Sequence, residues 1–326
     1  MSRACAPVDT DAATWQPLAS PERLRQRAAL LTTIRRFMDA RGILEVETPL
    51  LSRAAVTDPA LQSFAVAVDG TPYYLQTSPE FAMKRLLAAG SGPIYQVAKV
   101  FRDNERGRWH HPEFTMLEWY RPGFSVADML DEIDALLLAL ELPRSERLDY
   151  GALFQQATGC DPHCADQQTL QRRALDFGLV SRDLSRVELL DFLFSSAVMP
   201  ELKDRPCAIV SDFPLAQAAL ARIRRGADGK PDVAERFELF IHGVEIGNGF
   251  HELADAAEQR QRFQADQAER GRRGLAQRPL DENLLAALTA GLPDCCGIAI
   301  GLDRLLMQVS GAGRIDDVLA FPVERS

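Results

Sequence analysis

Residues 101–122 read Phe101-Arg102-Asp103-Asn104-Glu105-Arg106-Gly107-Arg108-Trp109-His110-His111-Pro112-Glu113-Phe114-Thr115-Met116-Leu117-Glu118-Trp119-Tyr120-Arg121-Pro122. Ile94 to Phe101 and Glu113 to Arg121 predict two strands, with the charged segment between them as the connecting loop. On the second strand Phe114, Met116, Glu118 and Tyr120 share one face, because side chains alternate with period two. That places Glu118 among apolar neighbours. A buried carboxylate without a counter-ion is costly, so Glu118 must meet an arginine of the protein or await a cationic ligand. The loop carries Arg102, Arg106 and Arg108 with His110 and His111. A guanidinium offers a planar fork of donors suited to phosphate oxygens, although a solvated hairpin tip has the same composition.

Upstream, Ser20-Pro21-Glu22 predicts a capped helix whose apolar face is Leu24, Ala28, Leu31, Ile34 and Met38 and which Gly42 closes. Ile43 to Glu47 reads as a short strand. Phe64, Val66 and Val68 alternate up to Asp69-Gly70, and Tyr73 to Gln76 alternates after it, which predicts a hairpin. Ser78-Pro79-Glu80 repeats the cap signal for a second helix ending at Gly90, and Ser125 caps a third that runs to about Leu140. Arg144 to Asp204 reads as helical. β-like runs return at Cys207 to Val210, Phe237 to Ile246 and Cys296 to Ile300. Strands outnumber crossover helices, so the predicted class is α+β, an antiparallel sheet flanked by helices. Residues 1–18 are expected to form a frayed tail, and residues 19–326 a single domain.

The chain has 326 residues, is 46% hydrophobic and 25% charged, and carries a formal charge of −9. This composition excludes collagen-like, low-complexity and wholly disordered chains. Net negative charge lacks the basic footprint of a nucleic-acid binder and counts against a tRNA partner. The six cysteines form no spaced framework, which suits free thiols in a reducing cytoplasm. Cys160, His163 and Cys164 find no second pair to complete a metal site. Neither a signal peptide nor a membrane span is expected.

Common nucleotide and hydrolase signatures are missing. There is no P-loop, Gly247-Asn248-Gly249 fails the dinucleotide fingerprint, and no nucleophile elbow occurs. Two other segments carry possible chemistry. Glu245 and Glu252 flank Ile246-Gly247-Asn248-Gly249-Phe250-His251, read as a glycine-rich bend that brings two carboxylates together for Mg²⁺, or as a plain turn. Gly297-Ile298-Ala299-Ile300-Gly301-Leu302-Asp303-Arg304 reads as a small-residue strand entering a helix. It either clears space for a flat ligand or packs tightly.

In this order the segments resemble the catalytic core of class II aminoacyl-tRNA synthetases, most closely the lysine enzymes. The helix from Pro21 with Pro49 resembles motif 1, Phe101 to Phe114 motif 2, and Gly301-Leu302-Asp303-Arg304 motif 3. Motif 1 begins near residue 21, which leaves no room here for the anticodon-binding OB-fold of a full lysyl-tRNA synthetase. That layout, with His111-Pro112-Glu113-Phe114-Thr115-Met116-Leu117-Glu118-Trp119-Tyr120-Arg121-Pro122, is similar to the lysyltransferases that modify translation elongation factor P.

The resemblance implies ATP and Mg²⁺ as cofactors, lysine or (R)-β-lysine as the activated acid, and a homodimer joined through motif 1. It implies that Arg102 and Arg304 are catalytic and hold the α- and γ-phosphates. The ATP site would comprise Arg102, Asp103, Asn104, Glu105, His111, Phe114, Glu245, Ile246, Gly301 and Arg304. The amino-acid site would comprise Ser78, Pro79, Glu80, Glu118, Tyr120, Asn248, Glu252 and Ala299, and Glu245 with Glu252 would organise the metal. Glu80 would contact the amine near the reacting end, and Glu118 with Tyr120 the distal ammonium. Two departures stand out. The family has glutamate two residues after the motif 2 arginine, where this chain has Asn104, and lysyl-tRNA synthetases tend to have glycine at Ala299.

Overall fold

The computed structural model describes residues 15–181, 184–227 and 229–326. Most of the expected tail, with Cys5, lies outside the described residues. Its last residues are tied down, since the Leu18 N–H donates to the Ala320 carbonyl at 2.8 Å.

Among the described residues the strands are β1 (Leu44–Glu45), β2 (Leu51–Ser52), β3 (Ala65–Val68), β4 (Thr71–Leu75), β5 (Ile94–Phe101), β6 (Glu113–Pro122), β7 (Glu146–Asp149), β8 (Cys207–Phe213), β9 (Ile223–Arg224), β10 (Val233–Ile241), β11 (Val244–His251) and β12 (Cys295–Gly301). The helices are α1 (Pro21–Asp39), α2 (Glu80–Ala88), α3 (Val126–Ala139), α4 (Tyr150–Thr158), α5 (Gln167–Asp176), α6 (Arg186–Leu193), α7 (Met199–Glu201), α8 (Ala256–Arg272), α9 (Glu282–Gly291) and α10 (Leu302–Ser310). The main sheet runs β1-β5-β6-β12-β11-β10-β8-β7, with β9 added to β10, and β2-β4-β3 form a separate small sheet. Its interior is antiparallel, as the sequence predicts; parallel pairs occur at the two edges, β1 with β5 and β7 with β8.

Local chemistry explains most boundaries. Ser20 caps α1 by accepting from the Arg23 N–H, and a capping box between Ser125 and Asp128 starts α3; each such cap is worth about 1 kcal/mol. Asp69 and Gly70 turn β3 into β4 with φ of 49° and 76°, as a type I′ hairpin requires.

Four readings change. The buried side of α1 is Leu30, Ile34, Phe37 and Met38, with Leu24 exposed. Ser78 does not cap α2; Pro79 occupies the cap position without a side-chain hydrogen bond. The run from Phe237 to Ile246 is two strands, because His242 and Gly243 make a second tight turn with φ of 48° and 73°. The middle segment contributes the edge strand β7 as well as helices.

The two faces of the sheet have different jobs. Leu117, Trp119, Ile298, Ile300, Ile246, Phe237 and Leu239 pack with α1, α3 and α10 in the main core. The opposite face is partly covered by α2 and α9, whose Met83, Leu87, Leu284, Leu285 and Leu288 pack with Tyr120 and Phe263. Between these covers the sheet is left open, and the polar side chains gather there.

Candidate active site

Register brings the polar groups into rows. Across the sheet, Glu118 pairs with Ala299, Ala299 with Asn248 and Asn248 with Glu238. One step along, Tyr120 pairs with Gly297, Gly297 with Phe250 and Phe250 with Arg236. Side chains two apart on a strand share a face, so Glu118, Tyr120, Asn248, Phe250, Arg236 and Glu238 converge without any loop.

These rows, Glu238 apart, floor a cavity of about 1300 Å³, large enough for more than one small ligand. Its lining includes Ser78, Pro79, Glu80, Arg102, Glu105, His111, Phe114, Glu118, Tyr120, Glu245, Ile246, Asn248, Glu252, Ala299, Gly301 and Arg304. Asp103 and Asn104 are exposed and do not line it. Asn104 has φ of +64°, and it is Glu105 that reaches the cavity, with an oxygen 3.5 Å from the Arg102 guanidinium.

At one end the groups are buried acids. The Tyr120 hydroxyl donates to Glu118 Oε1 at 2.6 Å, while Glu118 Oε2 is buried without a hydrogen-bond partner among the described residues. Burial, with Glu80 and Glu252 nearby, raises the Glu118 carboxyl well above its ordinary range. Glu252 is pushed up to about 7, by burial first and by Glu80, against the opposing charge of Lys84. Lys84 was not singled out from sequence. It is 2% exposed, and its Nζ lies 2.7 Å from Glu80 Oε1 and 2.6 Å from Glu252 Oε2. Burial alone would lower its pKa; the Glu252 and Glu80 charges outweigh that and raise it. The i,i+4 spacing of Glu80 and Lys84 was the available signal.

At the other end the groups are guanidinium ions. Arg304, in the first turn of α10, donates from Nε to the Trp109 carbonyl and from Nη1 to the Glu245 carbonyl, both at 3.0 Å. The Arg102 guanidinium stands 5.1 Å over the Phe114 ring, and its Nε is buried without a partner among the described residues. Burial, then Arg304, lowers the His110 pKa. The His111 ring is committed to the Glu113 carbonyl and to the Val323 N–H, so it presents an edge and no free nitrogen to the cavity. Between the ends, Arg236 donates from Nε to Asn248 Oδ1 at 3.1 Å, which orients that amide.

A model for tRNA synthetases class II (D, K and N) matches residues 16–325. The chain belongs to this family. Curated relatives from Pectobacterium atrosepticum and Edwardsiella ictaluri are 47% and 48% identical over 328 residues, covering 97% of this chain and all of each relative. One from Salmonella paratyphi A is 46% identical over 327 residues, with the same coverage. All three are named elongation factor P–(R)-β-lysine ligase.

One glycine reading is corrected within this class II core, and one left open is decided. Gly247 and Gly249 form no bend. They sit inside β11, where an added Cβ would lie 2.8 Å from Ile300 and 2.4 Å from the Phe237 ring. The space beside Gly297 is filled by the protein, because a Cβ there would lie 2.3 Å from Tyr120 and 2.7 Å from Glu252.

The paired-carboxylate metal site is corrected too. Glu245 and Glu252 are seven positions apart along an extended strand, roughly 20 Å, and Glu252 is engaged by Lys84. No cluster of three or more His, Cys, Asp or Glu suited to a metal occurs among the described residues. The orphaned Arg102 Nε and the lone Glu245 carboxylate fit a triphosphate whose own oxygens hold most of the metal.

Proposed function

We propose that this protein is an ATP-dependent ligase that activates (R)-β-lysine or lysine as its adenylate and transfers the acyl group to a lysine side chain of translation elongation factor P. The observation that carries this reading is Glu118. It is a buried carboxylate with one oxygen left without a hydrogen-bond partner among the described residues, in the same cavity as Arg102 and Arg304. The naming of the relatives as elongation factor P–(R)-β-lysine ligases supports the acceptor and the β-amino acid.

Glu118 and Tyr120 receive the distal ammonium of the substrate. Glu80 takes the amine nearer the reacting end, and Asn248 directs its amide N–H groups at the carboxylate. Arg102 holds the α-phosphate and Arg304 the γ-phosphate, so that the carboxylate oxygen attacks the α-phosphorus in line and pyrophosphate departs. Glu245 is the protein carboxylate that would hold a Mg²⁺ carried on the triphosphate, and the ion would supply charge neutralisation there. The neutral amine of the acceptor lysine then attacks the acyl carbon, forming an amide and releasing AMP. Ser78 and Pro79 wall the amino-acid end. Ala299 stands between Glu118 and Asn248 and narrows the pocket relative to glycine.

The same reading makes the enzyme a cytoplasmic homodimer. Leu24 and Leu44 are exposed between Pro21 and Pro49, the motif 1 segment whose helices make the subunit contact in this family. Light scattering is expected to give twice the chain mass. No helix among the described residues is long and apolar enough to cross a membrane.

The decisive experiment is intact-mass analysis of elongation factor P after incubation with enzyme, ATP and each lysine isomer. The expected result is addition of one lysyl group, fastest with (R)-β-lysine. Label appearing on tRNA and not on protein would reject the acceptor; absence of ATP–pyrophosphate exchange with every lysine isomer would reject the chemistry.

A further inference from the structure

The amino-acid end contains a cation that the substrate does not supply. Lys84 projects from α2, one turn after Glu80, and its ammonium bridges Glu80 Oε1 and Glu252 Oε2 at 2.7 and 2.6 Å. At 2% exposure it lies beneath the cavity wall and is not part of the lining. Glu80, Glu118 and Glu252 all reach the cavity, and Glu118 has only the Tyr120 hydroxyl. Fully ionised, as two substrate ammonium groups would draw them, three carboxylates and one ammonium carry a net charge of −2.

We propose that Lys84 is a positioning residue that sets the specificity of the amino-acid site. It pins one oxygen of Glu80 and one of Glu252, and it reduces the charge of the acidic cluster to the value that two substrate ammonium groups cancel. The inference rests on the lysine-type reading of this pocket. Charges taken from water must be matched one for one, because each unmatched buried ion carries a large desolvation penalty. A guest with one ammonium group leaves a carboxylate unmatched and is rejected. Without Lys84 either guest leaves one more carboxylate unmatched, and Glu80 and Glu252 lose the ammonium that pins them, so a guest with two is no longer gripped in register and its advantage shrinks. The geometry serves the same end: both pinned acids keep their second oxygen for the guest.

The test compares the parent enzyme with Lys84→Met, which keeps the stem and removes the charge, and Lys84→Gln, which keeps a hydrogen-bond donor without charge. ATP–pyrophosphate exchange is measured with (R)-β-lysine, L-lysine and norleucine, the monoamine of similar length. Melting is followed with each amino acid and with a non-hydrolysable ATP analogue. In both variants KM for the diamino acids is expected to rise at least about tenfold, with kcat and KM for ATP within about threefold. The preference over norleucine should fall by a similar factor. The stabilisation by (R)-β-lysine should disappear while that by the ATP analogue persists.

Unchanged KM and preference in folded variants would overturn the proposal. So would a parallel loss of ATP binding, or failure of both variants to fold, since either result assigns Lys84 to the fold alone. If the parent itself shows no lysine-dependent exchange, the reading of the pocket fails and not the role of Lys84 within it.

Discussion

The two ends of the cavity hold their charges by different means. At the amino-acid end the side chains of Lys84 and Glu252 are 2% and 1% exposed and pair with each other. At the phosphate end Arg304 is 20% exposed, its partner Glu245 is 45% exposed, and Arg304 bonds to two backbone carbonyls. A buried cluster of charges tolerates little change, because removing one member leaves another unmatched in low dielectric. A guanidinium anchored on main-chain oxygens keeps its place when neighbouring side chains change. On the proposed reading, the acidic end selects the guest and the basic end orients a nucleotide whose charge solvent already shares.

Gly297→Ala tests the packed end most severely. Its new Cβ would fall 2.3 Å from the Tyr120 ring, 2.5 Å from a second atom of that ring and 2.7 Å from a Glu252 oxygen. Displacing reactive groups by an ångström costs about 100-fold, and overpacking adds about 1–3 kcal/mol of instability. Lysine-dependent exchange should fall by more than 100-fold, with the ATP analogue still raising the melting temperature.

Two charge removals of similar size should then separate the ends. Glu118→Gln leaves a substrate ammonium without its carboxylate and is expected to raise KM for (R)-β-lysine roughly 100-fold, leaving KM for ATP near the parent value. Arg304→Gln removes charge stabilisation from the leaving pyrophosphate and should lower kcat about 100-fold, with amino-acid KM little changed. Steady-state exchange kinetics in both substrates checks the pair. If either variant damages both constants equally, the ends are not independent.

Much of the acidic end was legible in the sequence because a strand imposes period two. Glu118 and Tyr120 had to share a face, and that face had to be partly apolar. The signal failed where register with a distant strand decides. Gly247 and Gly249 look like turn residues in isolation, yet they are glycines because Ile300 and the Phe237 ring occupy the space of a Cβ. The same ambiguity merged β10 with β11, since His242 in a left-handed turn carries little propensity signal. Lys84 escaped notice because an i,i+4 acid–base pair on a helix is ordinarily a solvated one; its burial against the distant Glu252 was invisible in the sequence. The edge strand β7, Glu146-Arg147-Leu148-Asp149, has no apolar alternation to reveal it.

Acidity also distinguishes the ends. Burial pushes Glu252 up to about 7 and also raises Glu118 above the usual carboxyl range, so Glu252 gains charge as pH rises through neutrality. KM for (R)-β-lysine should fall between pH 6.5 and 8, by up to about tenfold per unit. KM for ATP should stay flat, because guanidinium groups do not titrate there. For the ligand-free fold the sign is opposite. A carboxyl whose folded value lies above its unfolded value stabilises the fold at low pH, and that contribution is lost as pH rises from about 4.5 to about 7. Relative to Glu252→Gln, the parent should lose melting temperature across that window, and bound (R)-β-lysine should restore it. A constant difference across the window would sink this account.

The smallest expected effect concerns the loop at the open end. Asn104 stands where the family has the glutamate that reads adenine, but here it is exposed at φ of +64° and its N–H is held by Asp103 Oδ1 at 2.8 Å. Asparagine tolerates that conformation, and alanine there costs about 1 kcal/mol of local strain without removing any group from the cavity. Glu105 is the acid that lines the cavity and approaches Arg102. Asn104→Ala should therefore leave KM for ATP within about twofold of the parent, whereas Glu105→Ala should raise it about tenfold, the weight of one charge-assisted hydrogen bond. Competition by adenosine against inosine separates base reading from phosphate positioning, since inosine replaces the 6-amino donor with a carbonyl and the N1 acceptor with an N–H. If Asn104→Ala raises KM as much as Glu105→Ala and lowers the preference for adenosine, the loop turns Asn104 inward on binding, and the open end is remodelled by its nucleotide while the acidic end stays as built.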